Sequence, residues 1–96
     1  MTKYFTIITS GTTPDHEAKM VEKWKDLGWW HAFPNFWLLR DHFDQLDAPA
    51  IRDQITAIAP AARIFVQEAD PKMWAARSLN ESNREWLRNY WPPEGG

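Results

Sequence analysis

No cysteine occurs anywhere in these 96 residues. Disulfides, thiol nucleophiles and thiolate metal sites are therefore excluded, and a reducing compartment, the cytoplasm, is the expected location. Glycine is scarce, with four in all, and the Gly-rich fingerprints of dinucleotide enzymes and P-loop NTPases are missing. No apolar run approaches the ~20 residues of a membrane span. The opening "MTKYFTIITSG" carries neither the apolar core nor the cleavage site of a signal peptide, and no membrane partner is expected. One sign of charge does not dominate either: 11 Lys and Arg stand against 13 Asp and Glu, for a net charge of -2, with no basic or acidic tail. Non-specific nucleic-acid binding leans on a broad positive field, which leaves room here only for a local basic face.

Tryptophan, by contrast, is abundant: seven in a chain long enough for one domain. Three of them fall in "GWWHAFPNFWLLRD", residues 28 to 41, with two phenylalanines and a histidine. So many large rings in a small chain supply either extensive core or an adhesive surface.

The β-branched and aromatic run "KYFTIIT" predicts a strand over residues 3–9. Phe5 and Ile7 fall on one side and Tyr4 and Ile8 on the other, as in a central strand covered on both faces. Thr13-Pro14 reads as a helix N-cap and first turn, with Asp15 and Glu17 placed well for the helix dipole. Met20, Val21, Trp24 and Leu27 continue that helix as one apolar stripe to Leu27, with Gly28 just beyond its end. Residues 29–33 and 36–40 predict two strands joined at Pro34-Asn35. Alternation places Trp29, His31 and Phe33 on one face, against Trp30 and Ala32; it sets Phe36, Leu38 and Arg40 against Trp37 and Leu39. After the polar "DHFDQLD", Asp47 caps a second helix over 48–59, with Ile51, Ile55 and Ile58 as its buried stripe and Pro60 as its stop. A strand over 62–69 follows. Ser82 and Glu85 have the spacing of a capping box, which opens a last helix bearing Trp86, Leu87, Tyr90 and Trp91. Residues 92–96 read as a disordered tail to a single domain over 1–91.

The order β-α-β-β-α-β followed by a helix predicts an α+β, ferredoxin-like fold, with an antiparallel sheet in order 4-1-3-2 and two helices on one face. The opposite face then needs the extra helix, a partner subunit or a ligand to cover it, because soluble monomers avoid large exposed apolar patches. A homodimer is expected on that ground.

Particular residues carry a resemblance. "KYFTIITS" as the first strand, Trp29-Trp30-His31 followed by Trp37-Leu38-Leu39, "IRDQI" in the second helix and "ARIFVQEAD" with Trp74 after it together resemble the small SinR-like proteins. These are distant relatives of the VapD toxin and of the small subunit of CRISPR adaptation complexes. The likeness spans residues 3–91. It implies a ferredoxin-like homodimer in a toxin–antitoxin or phage-defence setting. The nuclease branches of that group carry an aspartate at the end of the first strand to hold a divalent metal. That position corresponds here to Ser10, a neutral hydroxyl and a poor magnesium ligand. The resemblance also implies that Trp74 locks the last loop onto the sheet.

Each candidate site residue also has a plainer role. His31 suits a base or ligand at a dimer crevice, or simply a packed strand position. Asp41, His42 and Asp44 are close enough for a metal but lack a zinc or calcium spacing. Asp41 and Asp70 suggest a carboxylate pair only if two strand ends meet. Ser10-Gly11-Thr12-Thr13 before a helix offers amides to a phosphate, or a plain capped turn. Arg77, Arg84 and Arg88, with Lys72 upstream, alternate with aromatics as a nucleic-acid grip would, although Glu81 and Glu85 can pair with Arg84 and Arg88 along the helix. No serine-hydrolase arrangement is present.

The resulting expectation is a cytoplasmic dimeric protein that works by binding a protein or RNA partner without a cofactor. Trp29, Trp30, His31, Trp37 and Trp74 are its candidate contacts. Two alternatives stand beside it. One is a metal-dependent endoribonuclease using Mg or Mn with His31, Asp41 or Asp70; the other is a phage-encoded protein inhibitor.

Overall fold

A computed structural model describes residues 2–71 and 75–91; Lys72, Trp74 and the expected tail at 92–96 lie outside the described residues. Seven elements follow one another: β1 (Lys3–Ser10), α1 (Pro14–Lys23), β2 (Gly28–Phe33), β3 (Phe36–Asp41), α2 (Ala48–Ile58), β4 (Arg63–Ala69) and α3 (Glu81–Tyr90). The strands form one open sheet in the order β2-β3-β1-β4, every neighbouring pair antiparallel. Read from the other edge the order is 4-1-3-2. The architecture is α+β, with β1 and β3 central.

Strand alternation sorts the side chains into two cores. Phe5, Ile7, Trp37 and Leu39 meet Met20 and Trp24 at α1 and Ile51 and Ile55 of α2. Trp24 donates its indole N–H to Gln54 Oε1 at 2.9 Å, joining the two helical segments. On the opposite face Trp30 and Leu38 meet Leu87 and Trp91 at α3, with Tyr4 against Trp91 edge-to-face at 5.1 Å. The C-terminal helix therefore covers part of the second face.

Three local expectations are corrected. Helix α1 stops at Lys23, four residues before Leu27: Trp24 is its C-cap, and Leu27 N–H turns back to Trp24 O. Gly28 is the first residue of β2, opposite Arg40 in the ladder, where an added Cβ would come within 3.3 Å of the Arg40 Cβ. Phe33 does not share the Trp29 and His31 face. A register shift between Trp30 and Phe33 inserts a bulge, which reverses alternation, so Phe33 packs beside Trp30 (5.4 Å) and Phe36 (6.0 Å). Helix α3 is capped by Asn80, whose side chain accepts from Asn83 N–H at 2.8 Å; Ser82 lies inside the first turn. The other two caps fall where the sequence places them, on Thr13 and Asp47.

Candidate functional site

The β1 ladders align a row across the whole sheet. Ile8 lies opposite Phe65 of β4 on one side and Phe36 of β3 on the other, and Phe36 lies opposite Phe33 of β2. Directly paired residues share a face, so Phe65, Ile8, Phe36 and Phe33 form a continuous apolar line on the face that carries α3. The helix does not reach it: Phe65 is 57 % exposed, Ile8 48 % and Phe33 46 %. Beside the row, a cleft of about 480 Å³ runs along the sheet under residues 75–79 and is bordered by Thr6, Leu38, Asp70 and Arg77.

His31 sits on the other face, half-buried, with its ring stacked on Trp37 at 3.8 Å and 3°. Its Nδ1 is 2.9 Å from Phe36 O, a contact in which only an Nδ1–H can donate. Its Nε2 lies 3.4 Å from Glu17 Oε1, and Glu17 also accepts from the Thr12 hydroxyl at 3.2 Å. With Nδ1–H given to Phe36 O, Nε2 can bond Glu17 only in the protonated ring, and in that form the side chain ties α1 to the β2–β3 hairpin. Trp37 and Trp24 are fully buried beside it, edge-to-face at 5.7 Å. Of the candidate contact tryptophans, Trp29 and Trp37 therefore belong to the α1–α2 side and Trp30 to the α3 side.

Asp41 is the last residue of β3, and its side chain is 0 % exposed. Its carboxylate accepts the N–H groups of Phe43 (3.1 Å), Gln45 (2.8 Å) and Leu46 (2.8 Å), folding the expected solvated loop around a buried charge. Asp44, at φ 55, instead pairs with Lys3 at 3.0 Å. That contact holds the Asp44 carboxyl below, and the Lys3 ammonium above, their usual values. Strands β3 and β4 both run antiparallel to β1, so they run parallel to each other and end on either side of its first residues. The two strands are not neighbours, because β1 lies between them. Asp41 and Asp70 do not meet, because Asp41 is bound by its own loop while Asp70 borders the cleft on the α3 face. Among the described residues no three His, Asp or Glu side chains come close enough to hold a metal ion.

Arg84 and Arg88 both reach Glu81, at 3.1 and 3.8 Å, on the exposed side of α3. Such surface pairs contribute at most about 1 kcal/mol. Arg77 instead borders the cleft beside the apolar row. A different arginine does meet aromatic rings. Arg40 lines a cleft of about 540 Å³ between the start of β2 and α3, together with Trp29, Trp30, Trp86 and Tyr90. The signal for it was present in the alternation that puts Arg40 with Leu38 and in the i,i+4 spacing of Trp86 and Tyr90. It could not be assembled without knowing that α3 lies over β2. Comparison with protein-family models, characterised proteins and solved structures finds no match for this chain.

Proposed function

We propose that this chain is a ferredoxin-like binding protein that acts as a homodimer closed over the row Phe65, Ile8, Phe36 and Phe33. The carrying observation is that four apolar side chains cross all four strands in register while α3 leaves three of them substantially exposed. Soluble chains rarely leave such a line open. A second copy is the occupant that suits it best. The row carries no charge, so a two-fold contact that sets it against itself meets no like-charge repulsion, and isologous dimers are the commonest assembly. The order 4-1-3-2 with α1 and α2 on one face supports the ferredoxin-like assignment. The defence or toxin–antitoxin setting rests on the resemblance to SinR-like proteins, and binding without catalysis rests on Ser10 at the position of the nuclease aspartate.

Sedimentation analysis tests the dimer. A two-chain species at micromolar concentration, converted to one chain by Ile8→Glu with an unchanged circular dichroism spectrum, is the expected result. A single chain at every concentration, or a dimer indifferent to both Ile8→Glu and Phe65→Glu, would overturn it. Labelled RNA incubated with Mg or Mn tests the rest: cleavage lost in Asp70→Ala or His31→Ala would replace binding with endoribonuclease activity.

A further inference from the structure

We propose that the cleft between β2 and α3 binds a nucleoside monophosphate unit, its base against Trp86 and Tyr90 and its phosphate on Arg40. This site is separate from the apolar row and does not depend on the dimer.

The cleft, about 540 Å³, falls within the usual range for small-molecule sites, several hundred Å³. Three rings run along it: Trp30 lies 6.3 Å from Trp86 at 30°, and Trp86 lies 5.6 Å from Tyr90 at 46°. Tyr90 is 45 % exposed although it is a large ring next to other large rings. Flat aromatic faces of this kind take nucleobases without regard to sequence, because every base has a π face. Trp30 is nearly fully buried, and its indole N–H has no acceptor among the described residues.

Arg40 supplies the polar end. Its guanidinium carbon is 5.8 Å from the Tyr90 ring centroid, in cation–π range. Arg52, Arg84 and Arg88 each reach a carboxylate within 4 Å, but the half-buried Arg40 reaches none among the described residues. A partly desolvated guanidinium with a planar fork of donors is suited to a phosphate. Arg40 also decides against the other ligand class that aromatic clefts take, the quaternary ammonium group, since it would repel one. Asp26 borders the same cleft, and one acid beside one arginine favours a single phosphate over a polyphosphate. Asn83, from the first turn of α3, offers both a donor and an acceptor to a base edge. Backbone geometry keeps the floor open: a side chain at position 28 would meet Arg40 at 3.3 Å and Trp86 at 3.6 Å, so glycine at that position leaves the space between them.

Calorimetric titration of the whole chain with AMP, UMP, adenosine, inorganic phosphate and ten-nucleotide RNAs of A or U tests the proposal. Saturable binding of AMP or UMP, or of a ten-mer, is expected, with adenosine alone and phosphate alone at least tenfold weaker than AMP. Arg40→Gln should weaken binding tenfold or more and Tyr90→Ala severalfold, while Arg88→Gln, outside the cleft, changes it by less than twofold. Tyr90 is exposed, so its variant stays informative even if Arg40→Gln folds poorly. A ten-mer that binds more than tenfold tighter than AMP, with affinity falling as salt rises, identifies a single strand as the source of the nucleotide; equal affinities identify the free nucleotide. Ile8→Glu should retain the affinity, which separates this site from the dimer. Absence of saturation by any nucleotide up to millimolar concentration would overturn the proposal. So would an unchanged affinity in Arg40→Gln, or phosphate binding as well as AMP.

Discussion

Buried tryptophans differ in how their polar ends are satisfied. Trp24 and Trp37 are neighbours in one core and equally buried, but Trp24 N–H is bonded to Gln54 while Trp37 N–H has no acceptor among the described residues. A buried donor without a partner costs about 1–3 kcal/mol, whereas a satisfied one contributes about 1 kcal/mol. Replacing each by Phe removes similar volume, so the difference between the variants reads the hydrogen bond. Trp24→Phe should therefore destabilise the fold by about 1–2 kcal/mol more than Trp37→Phe in urea unfolding. Equal losses would mean that packing alone distinguishes the two. Lys3 and Asp44 are governed by charge instead. Their contact lowers the Asp44 carboxyl below its usual 3.8 and raises the Lys3 ammonium above its usual 10.5, in both cases first through the hydrogen bond between them. The contribution of Asp44 is present above the carboxylate range and lost as pH falls through its depressed value; that of Lys3 is full below 10.5 and lost as pH rises through its raised value. Asp44→Asn should therefore lower the melting temperature near neutrality, and the gap to the parent chain should close in strong acid. A gap that stays constant from pH 7 to pH 2 would mean that the charge on Asp44 does not carry the effect.

Helix α3 shows where an element's boundaries become legible and where they do not. Its apolar residues Trp86, Leu87, Tyr90 and Trp91 mark it in the sequence, and the expected start at Ser82 lies two residues past the observed cap, Asn80. Ser82 with Glu85 has the capping-box spacing, but Asn80 is an equally good cap and adds two residues to the helix, so it prevails. Asn80→Ala should then cost about 1 kcal/mol, while Ser82→Ala stays within about 0.5 kcal/mol. Thermal unfolding of the two variants distinguishes them, and the reverse ranking would place the helix start at Ser82. The hairpin repeats the lesson. Alternation in β3 is regular and assigns every residue from Phe36 to Arg40 to its observed face. Alternation in β2 fails at Phe33, because a bulge leaves no mark in the residue types on either side. The Asp41 loop was illegible for a related reason: "DHFDQLD" has the composition of a solvated turn, and only the fold brings three backbone N–H groups to one carboxylate.

At the scale of the whole molecule, order and handed-down periodicity of the elements were enough to place β1 at the centre and two helices on one face. The Arg40 cleft and the apolar row were not legible, because each is assembled from elements far apart in the chain. Phe65 and Ile8 are 57 residues apart, and only the β1–β4 register sets them side by side. That row makes a thermodynamic demand of its own. A dimer closed over it adds the free energy of association to folding, so the melting temperature should rise with protein concentration. Phe65 is 57 % exposed in one chain, and Phe65→Ser should leave the isolated fold within about 0.5 kcal/mol of the parent while removing an aromatic anchor from the interface. The parent chain should therefore melt several degrees higher at 200 µM than at 2 µM. Phe65→Ser should melt at one temperature across that range, close to the dilute parent. A parent whose melting temperature ignores concentration would leave the row exposed in solution, and a Phe65→Ser variant that keeps the dependence would move the contact between copies to another face.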